Sequence, residues 1–166
     1  MKEVSTESNQ QSSDELTQDK PTVDSAPPTL GIESILGAVS LLAMRSSNHR
    51  FLFVTDFEWL LIPPIALKQF RIFRQKEKNT PIAFISWASV SEEVEERLLS
   101  GTIKLSPKDW NSGDRLWLID VISPYAKAKD ILKQLADSDF KEKDIQLLRP
   151  KKEGRGFQGK SLLEVL

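Results

Sequence analysis

The 166-residue chain has no cysteine, one histidine, one tyrosine and two methionines. Without thiols there is no disulfide, no thiolate nucleophile and no cysteine-based metal site. One histidine and no cysteine also leave too few nitrogen and sulfur ligands for a transition-metal centre. No apolar run approaches the roughly 20 residues that span a bilayer. Nor do the first residues show the apolar stretch and basic start of a secretory signal. A cytoplasmic location is the expectation these absences leave.

Large apolar side chains are almost missing from residues 1–30, which are rich in Ser, Thr, Gln, Asp, Glu and Pro. Such a stretch buries too little surface to offset the entropy of ordering it, and it reads as a disordered polar leader. Residues 31–166 read as one domain of ordinary size. The leader has two lysines against six acidic residues, net −4, so with −1 overall, residues 31–166 carry +3. That is too weakly basic to argue for nucleic acid, and it suits an acidic protein partner.

What is present is a string of apolar segments with recognisable periods. Ile32 to Met44 has helical spacing (Ile35, Leu36, Val39, Leu42, Ala43), with Thr29 or Gly31 placed to cap it. A polar turn, Arg45 to Arg50, follows. Phe51 to Ile65 is almost wholly apolar and predicts a buried helix, although its first residues also fit a strand. Gln69 to Gln75 and Pro81 to Val90 predict an antiparallel hairpin around a turn at Lys76–Pro81. Ser91 opens a helix with Leu98 and Leu99 on its apolar face. Pro107 to Asp114 reads as a loop, Arg115 to Ser123 as a third strand, Lys127 to Ala136 as a helix and Asp144 to Leu148 as a fourth strand. Lys151 to Ser161, basic and glycine-rich, reads as irregular. The expected class is α+β: a mostly antiparallel sheet of about four strands with helices on its faces.

Few residues stand out chemically. His49 lies in the polar turn; histidine suits proton transfer near neutral pH, but a lone loop histidine is more often an exposed bystander. Asp120 lies inside Leu116-Trp117-Leu118-Ile119-Asp120-Val121-Ile122, where an ionised carboxylate needs a partner. Alternation puts it on a face with Leu116 and Leu118. The candidate partners are His49, Arg50 and Arg115; a structural ion pair or a backbone cap are the plainer readings. Gly154 to Ser161 matches the G-x-x-x-x-G-K-[ST] phosphate loop. Yet that loop must open a long helix, and only Leu162 to Leu166 follow, so a flexible basic segment is the better reading. Trp59, Trp87 and Trp117 read as core, and Trp110, in a polar loop, as a plug.

Several stretches together resemble the toxin-activating lysine acyltransferases that accompany RTX haemolysins. They are Leu36-Gly37; Ser46 with His49-Arg50; Pro63 and Ile65; Pro81-Ile82-Ala83; Ser86-Trp87-Ala88; Asp109-Trp110-Asn111-Ser112-Gly113-Asp114-Arg115-Leu116-Trp117-Leu118-Ile119-Asp120; and Pro124-Tyr125. The resemblance covers roughly residues 31 to 160. It implies a GNAT-like fold and transfer of a fatty acyl chain from acyl carrier protein, the co-substrate, to an internal lysine of an RTX-type protoxin. It implies no resident cofactor and no metal, and a homodimer. His49 matches the family's essential histidine, Asp120 its catalytic aspartate, and Ser46 a serine that some mechanisms use in support. The acyl chain is expected to run near Phe84 and Leu118. The chain departs from the pattern at Ser47-Asn48, around Leu60, at Val121 and in ending soon after its glycine-rich segment. Two alternatives accompany this reading: a non-catalytic homologue that binds the carrier or the toxin, and a GNAT-like transferase that uses acyl-CoA.

Overall fold

A computed structural model describes residues 31–152, 154 and 156–166. The proposed leader lies outside the described residues. Helix α1 (Ile32–Arg45) is followed by a 3-10 turn (Val54–Asp56) and two short helices, α2 (Phe57–Leu60) and α3 (Ile62–Leu67). Strands β1 (Phe70–Arg74) and β2 (Pro81–Val90), helix α4 (Glu92–Leu99) and a 3-10 turn (Pro107–Trp110) come next. The chain closes with β3 (Arg115–Ile122), α5 (Ala128–Ser138), β4 (Gln146–Pro150), β5 (Phe157–Ser161) and α6 (Leu162–Val165).

The strands form one five-stranded sheet in the order β1-β2-β3-β4-β5. Every neighbouring pair is antiparallel except β3–β4, which is parallel. The class is therefore α+β, with one strand more than the sequence suggested. The extra strand is β5, inside the segment expected to be irregular. Its residues are mostly polar, and it is fixed instead by a full antiparallel ladder with β4, from Gln146↔Ser161 to Pro150↔Phe157. The phosphate-loop look-alike thus ends on a strand, and the helix that follows it has only 4 residues.

Helices cover both faces. Even-numbered β2 residues such as Phe84 pack with α1 and α3, while Ala88 and Val90 pack with α4 and the second 3-10 turn. Odd-numbered Ala83 and Ile85 pack with α5 and α6 through Ile131, Leu135 and Leu162. Burial on both faces explains the unbroken apolar run of β2. Phe84 and Leu118, the two residues expected near the acyl chain, belong to cores on opposite faces.

The stretch Phe51 to Ile65 is not one buried helix. Phe51, Phe53 and Val54 are 71%, 73% and 81% exposed, and the α-helix begins only at Phe57. Asp56 holds the approach: its carboxylate accepts the Phe53 backbone N–H and the Trp59 indole N–H. Pro63 and Pro64 then occupy the first turn of α3, where a missing N–H costs nothing.

Trp110 is fully buried among Val94, Leu98 and Leu105, and its indole N–H donates to the Trp59 carbonyl at 3.2 Å. It is a plug. Trp117 is likewise core, and Trp59 and Trp87 are half-buried at its margins.

Candidate active site

His49 is fixed by the turn that ends α1. Ser46 caps the helix, its N–H donating to the Leu42 and Ala43 carbonyls. The His49 and Arg50 N–H groups then donate to the Ser46 carbonyl, and Leu52 N–H donates to the His49 carbonyl. This tight turn swings the imidazole over the sheet. Both ring nitrogens are engaged: Nε2 lies 2.8 Å from Asp120 Oδ1 and Nδ1 lies 2.7 Å from Ser46 Oγ. The two side chains are 13% and 14% exposed, so the pair is largely shielded yet reachable. Asp120 Oδ1 accepts only donors, so Nε2 carries the proton in the neutral ring and Nδ1 accepts the Ser46 hydroxyl.

Of the three partners offered for Asp120, only His49 meets it. Arg115 goes to Glu95 (3.0 Å) and Glu92 (3.5 Å), and Arg50 lies over the Phe51 ring. The side on which Asp120 stands differs from simple alternation. Ser86 pairs with Asp120 and Trp87 with Leu118, so Ile119 is an extra residue, a β-bulge. Leu116, Leu118 and Val121 pack towards α5, whereas Ile119 and Ile122 pack towards α1. The bulge reverses the alternation and turns Asp120 to the α1 side, where His49 waits. The same oxygen that meets His49 also accepts the Val121 N–H at 2.9 Å.

One residue of this site went unassigned in the sequence. Ser86 is fully buried, and its hydroxyl has no hydrogen-bond partner. Directly opposite it, Asp120 Oδ2 is also buried and unpartnered. A buried polar group left unpaired costs roughly 1–3 kcal/mol, so two adjacent ones mark a functional place rather than a packing accident. The available signal was a serine within the otherwise apolar centre of Pro81 to Ala88. The bulge itself has no sequence marker, since Ile119 is neither glycine nor polar.

A second polar cluster supports the site from outside it. Asp109 is 4% exposed and accepts the Ser106 N–H (2.8 Å), the Ser106 hydroxyl (2.7 Å) and an Arg97 guanidinium N–H (2.8 Å). Burial pushes its carboxyl up, but the bonds from Ser106 and Arg97 outweigh burial and hold it below the usual carboxylate range. This anchors the turn that delivers Trp110 and the start of β3. Among the described residues no three His, Asp or Glu side chains gather as a metal site would require, and no helix is long and apolar enough to cross a membrane.

Comparison with known proteins adds to this geometry. The chain is 35% identical over 104 residues to the lysine-acyltransferase RtxC of Vibrio cholerae, covering 63% of this chain and 67% of that one. It is 40% identical over 91 residues to the protein-lysine myristoyltransferase HlyC of Escherichia coli, covering 55% of this chain and 51% of that one. It is also 35% identical over 121 residues to an uncharacterized Synechocystis protein, covering 73% of this chain and 82% of that one. The family model described as the RTX toxin acyltransferase family matches residues 29–159, which include His49, Ser86 and Asp120, and the chain belongs to that family.

Proposed function

We propose that this protein moves a fatty acyl chain from acyl carrier protein to the ε-amine of an internal lysine in an RTX-type protoxin. The observation that carries the reading is the imidazole held between Asp120 and Ser46 in a chain of this family. A lysine amine with a pKa near 10.4 is almost wholly protonated at neutral pH, so proton removal is part of the task. The ammonium first loses one proton to solvent, and the free amine attacks the thioester carbonyl. As the tetrahedral adduct forms, its nitrogen gives up a proton to His49 Nδ1, either directly after displacing the Ser46 hydroxyl or through it. The C–S bond then breaks, the amide C–N bond remains, and the proton on His49 returns to the departing thiolate. Asp120 holds the Nε2–H tautomer and stabilises the imidazolium. Such base catalysis is worth roughly 10²–10⁴-fold, with positioning of thioester and amine supplying more.

The sheet offers a path to the donor. β3 and β4 pair only at Trp117↔Gln146 and Leu118↔Leu147. Beyond that, a cavity of about 270 Å³ opens between them, lined by Asp120, Val121, Leu132, Leu148 and Arg149 among others. Parallel strands that separate leave main-chain groups available to an extended thioester-bearing arm, and this supports a GNAT-like reading of the fold. The exposed Phe51, Phe53 and Val54, just past His49, offer an apolar surface to the acyl chain.

The test is intact mass spectrometry of a candidate protoxin incubated with acylated carrier protein and this enzyme. An acyl mass shift on a lysine is expected with the wild type. His49→Ala and Asp120→Ala are expected to remain folded and to lose at least 10²-fold in rate. Full activity in His49→Ala would sink the mechanism. Binding of the carrier without turnover would favour a non-catalytic role instead, and turnover with acyl-CoA alone would point to a different donor.

A further inference from the structure

We propose that Ser86 is a positioning residue for the acyl transfer: its hydroxyl donates to Asp120 Oδ2 and fixes the carboxylate against His49. This rests on the reading of His49 and Asp120 as the catalytic pair.

The argument is one of complementary orphans. Ser86 sits on β2 with both neighbours paired, Phe70 on one side and Asp120 on the other, so the surrounding main-chain groups belong to ladders. Its hydroxyl is a donor without an acceptor. Among the described buried groups, two side-chain oxygens lack a donor: Gln69 Oε1 and Asp120 Oδ2. Gln69 stands opposite Trp87, whose N–H it accepts, so alternation turns its side chain to the other face from Ser86. That leaves Asp120. Opposed residues of an antiparallel pair have Cβ atoms about 4.5–5.5 Å apart, a separation that one serine torsion and a small swing of the carboxylate close.

The bulge makes the pairing meaningful. Because Ile119 is the extra residue, Asp120 shares the α1 face with Ser86, Phe84 and Ala88. Asp120 Oδ1 is already committed to His49 and the Val121 N–H. A donor on Oδ2 removes the remaining freedom of the carboxylate to rotate about its own axis. Held at both oxygens, it presents Oδ1 to His49 Nε2 in one orientation and keeps Nδ1 as the basic atom. Alanine at this position would fill the same apolar strand, so the hydroxyl is the part that packing does not explain.

The single histidine makes the test direct, because one imidazole gives one pair of ring ¹⁵N signals. Full-length protein with ¹⁵N-labelled histidine is compared as wild type, Ser86→Ala, Asp120→Asn and the double variant, at a pH where the ring is neutral. The wild type is expected to show the well-separated shifts of the Nε2–H tautomer. In Ser86→Ala those shifts move towards each other and kcat falls about tenfold (equivalent to about 1.4 kcal/mol) with KM unchanged. The double variant matches Asp120→Asn. Unchanged ring shifts in Ser86→Ala overturn the proposal whatever kcat does, and so does any further shift when Ser86→Ala is added to Asp120→Asn. Should Ser86→Ala lose its fold, Ser86→Cys keeps the volume with a weaker donor and carries the same comparison. Activity in His49→Ala would instead defeat the parent reading, while the ring shifts would still decide whether Ser86 acts on Asp120.

Discussion

At the scale of single residues, the polar groups divide into those that leave bonding capacity open and those that are saturated. Asp120 and Ser86, opposite each other on paired strands, each leave an oxygen unpaired. Asp109 does the opposite, with both oxygens occupied by Ser106 and Arg97. Its carboxyl is therefore held below its usual range in the folded state, and the sign of the consequence follows. A depressed folded value means that folding favours the ionised form. The stabilisation is complete above the unfolded value, about 3.9, and is lost as pH falls through it towards the lower folded value. Asp109→Asn is expected to cost roughly 1.5–3 kcal/mol at pH 7, since hydrogen bonds to charged groups are worth about that much. Urea unfolding of both proteins at pH 7 and pH 3 checks this: the gap between their midpoints should shrink at pH 3. A gap of equal size at both pH values would assign the effect to shape rather than charge.

At the scale of elements, the parts that were legible in the sequence are those whose burial writes a period. The first helix, the β1–β2 hairpin, Ser91 as a helix cap and the third strand all fall where spacing placed them, within a residue or two. What was not legible depends on partners distant in sequence. β5 has no apolar period because the β4 ladder, not a core face, fixes it. The bulge at Ile119 depends on register with β2, so the face of Asp120 was misassigned although its contact with His49 was among the options offered. The apolar run after His49 looked like core because composition alone does not tell buried from exposed phenylalanine. Gly113 shows a family-specific segment acquiring a physical reason. A Cβ there would stand 2.5 Å from the Val90 carbonyl oxygen and 2.7 Å from Ser91 backbone atoms. Gly113 N–H also donates to the Ser89 carbonyl, tying the start of β3 to the end of β2. Gly113→Ala is thus expected to destabilise by about 1–3 kcal/mol, the usual range for overpacking, with β3 displaced at Arg115. A thermal midpoint equal to the wild type would show that the two backbones have room to part.

At the scale of the whole molecule, the parallel β3–β4 pair gives the carrier of the proposed function one end of the sheet to approach. Parallel strands end on the same side, so the C-terminal half of β3, with Asp120, and the C-terminal end of β4, with Arg149 and Pro150, share one end of the sheet. Lys151 and Lys152 continue from β4, and together with Gln158 and Lys160 they line a shallow hollow at that end. The arginines of β1 are committed elsewhere: Arg71 pairs with Asp139, and Arg74 donates to the Asn79 carbonyl. An acidic carrier protein steered to the lysine hollow would find the β3–β4 opening beside it. Charges at the rim of such a contact act mainly on association and weaken as salt screens them over about 8–10 Å. The triple variant Lys151→Glu, Lys152→Glu, Lys160→Glu is therefore expected to raise KM for the acylated carrier roughly 10-fold or more at low salt, with kcat and KM for the protoxin unchanged. Raising ionic strength should increase the wild-type KM and lower that of the variant, so that the two converge. Equal KM values at low salt would place the carrier on another surface and leave the lysines as a solvated edge.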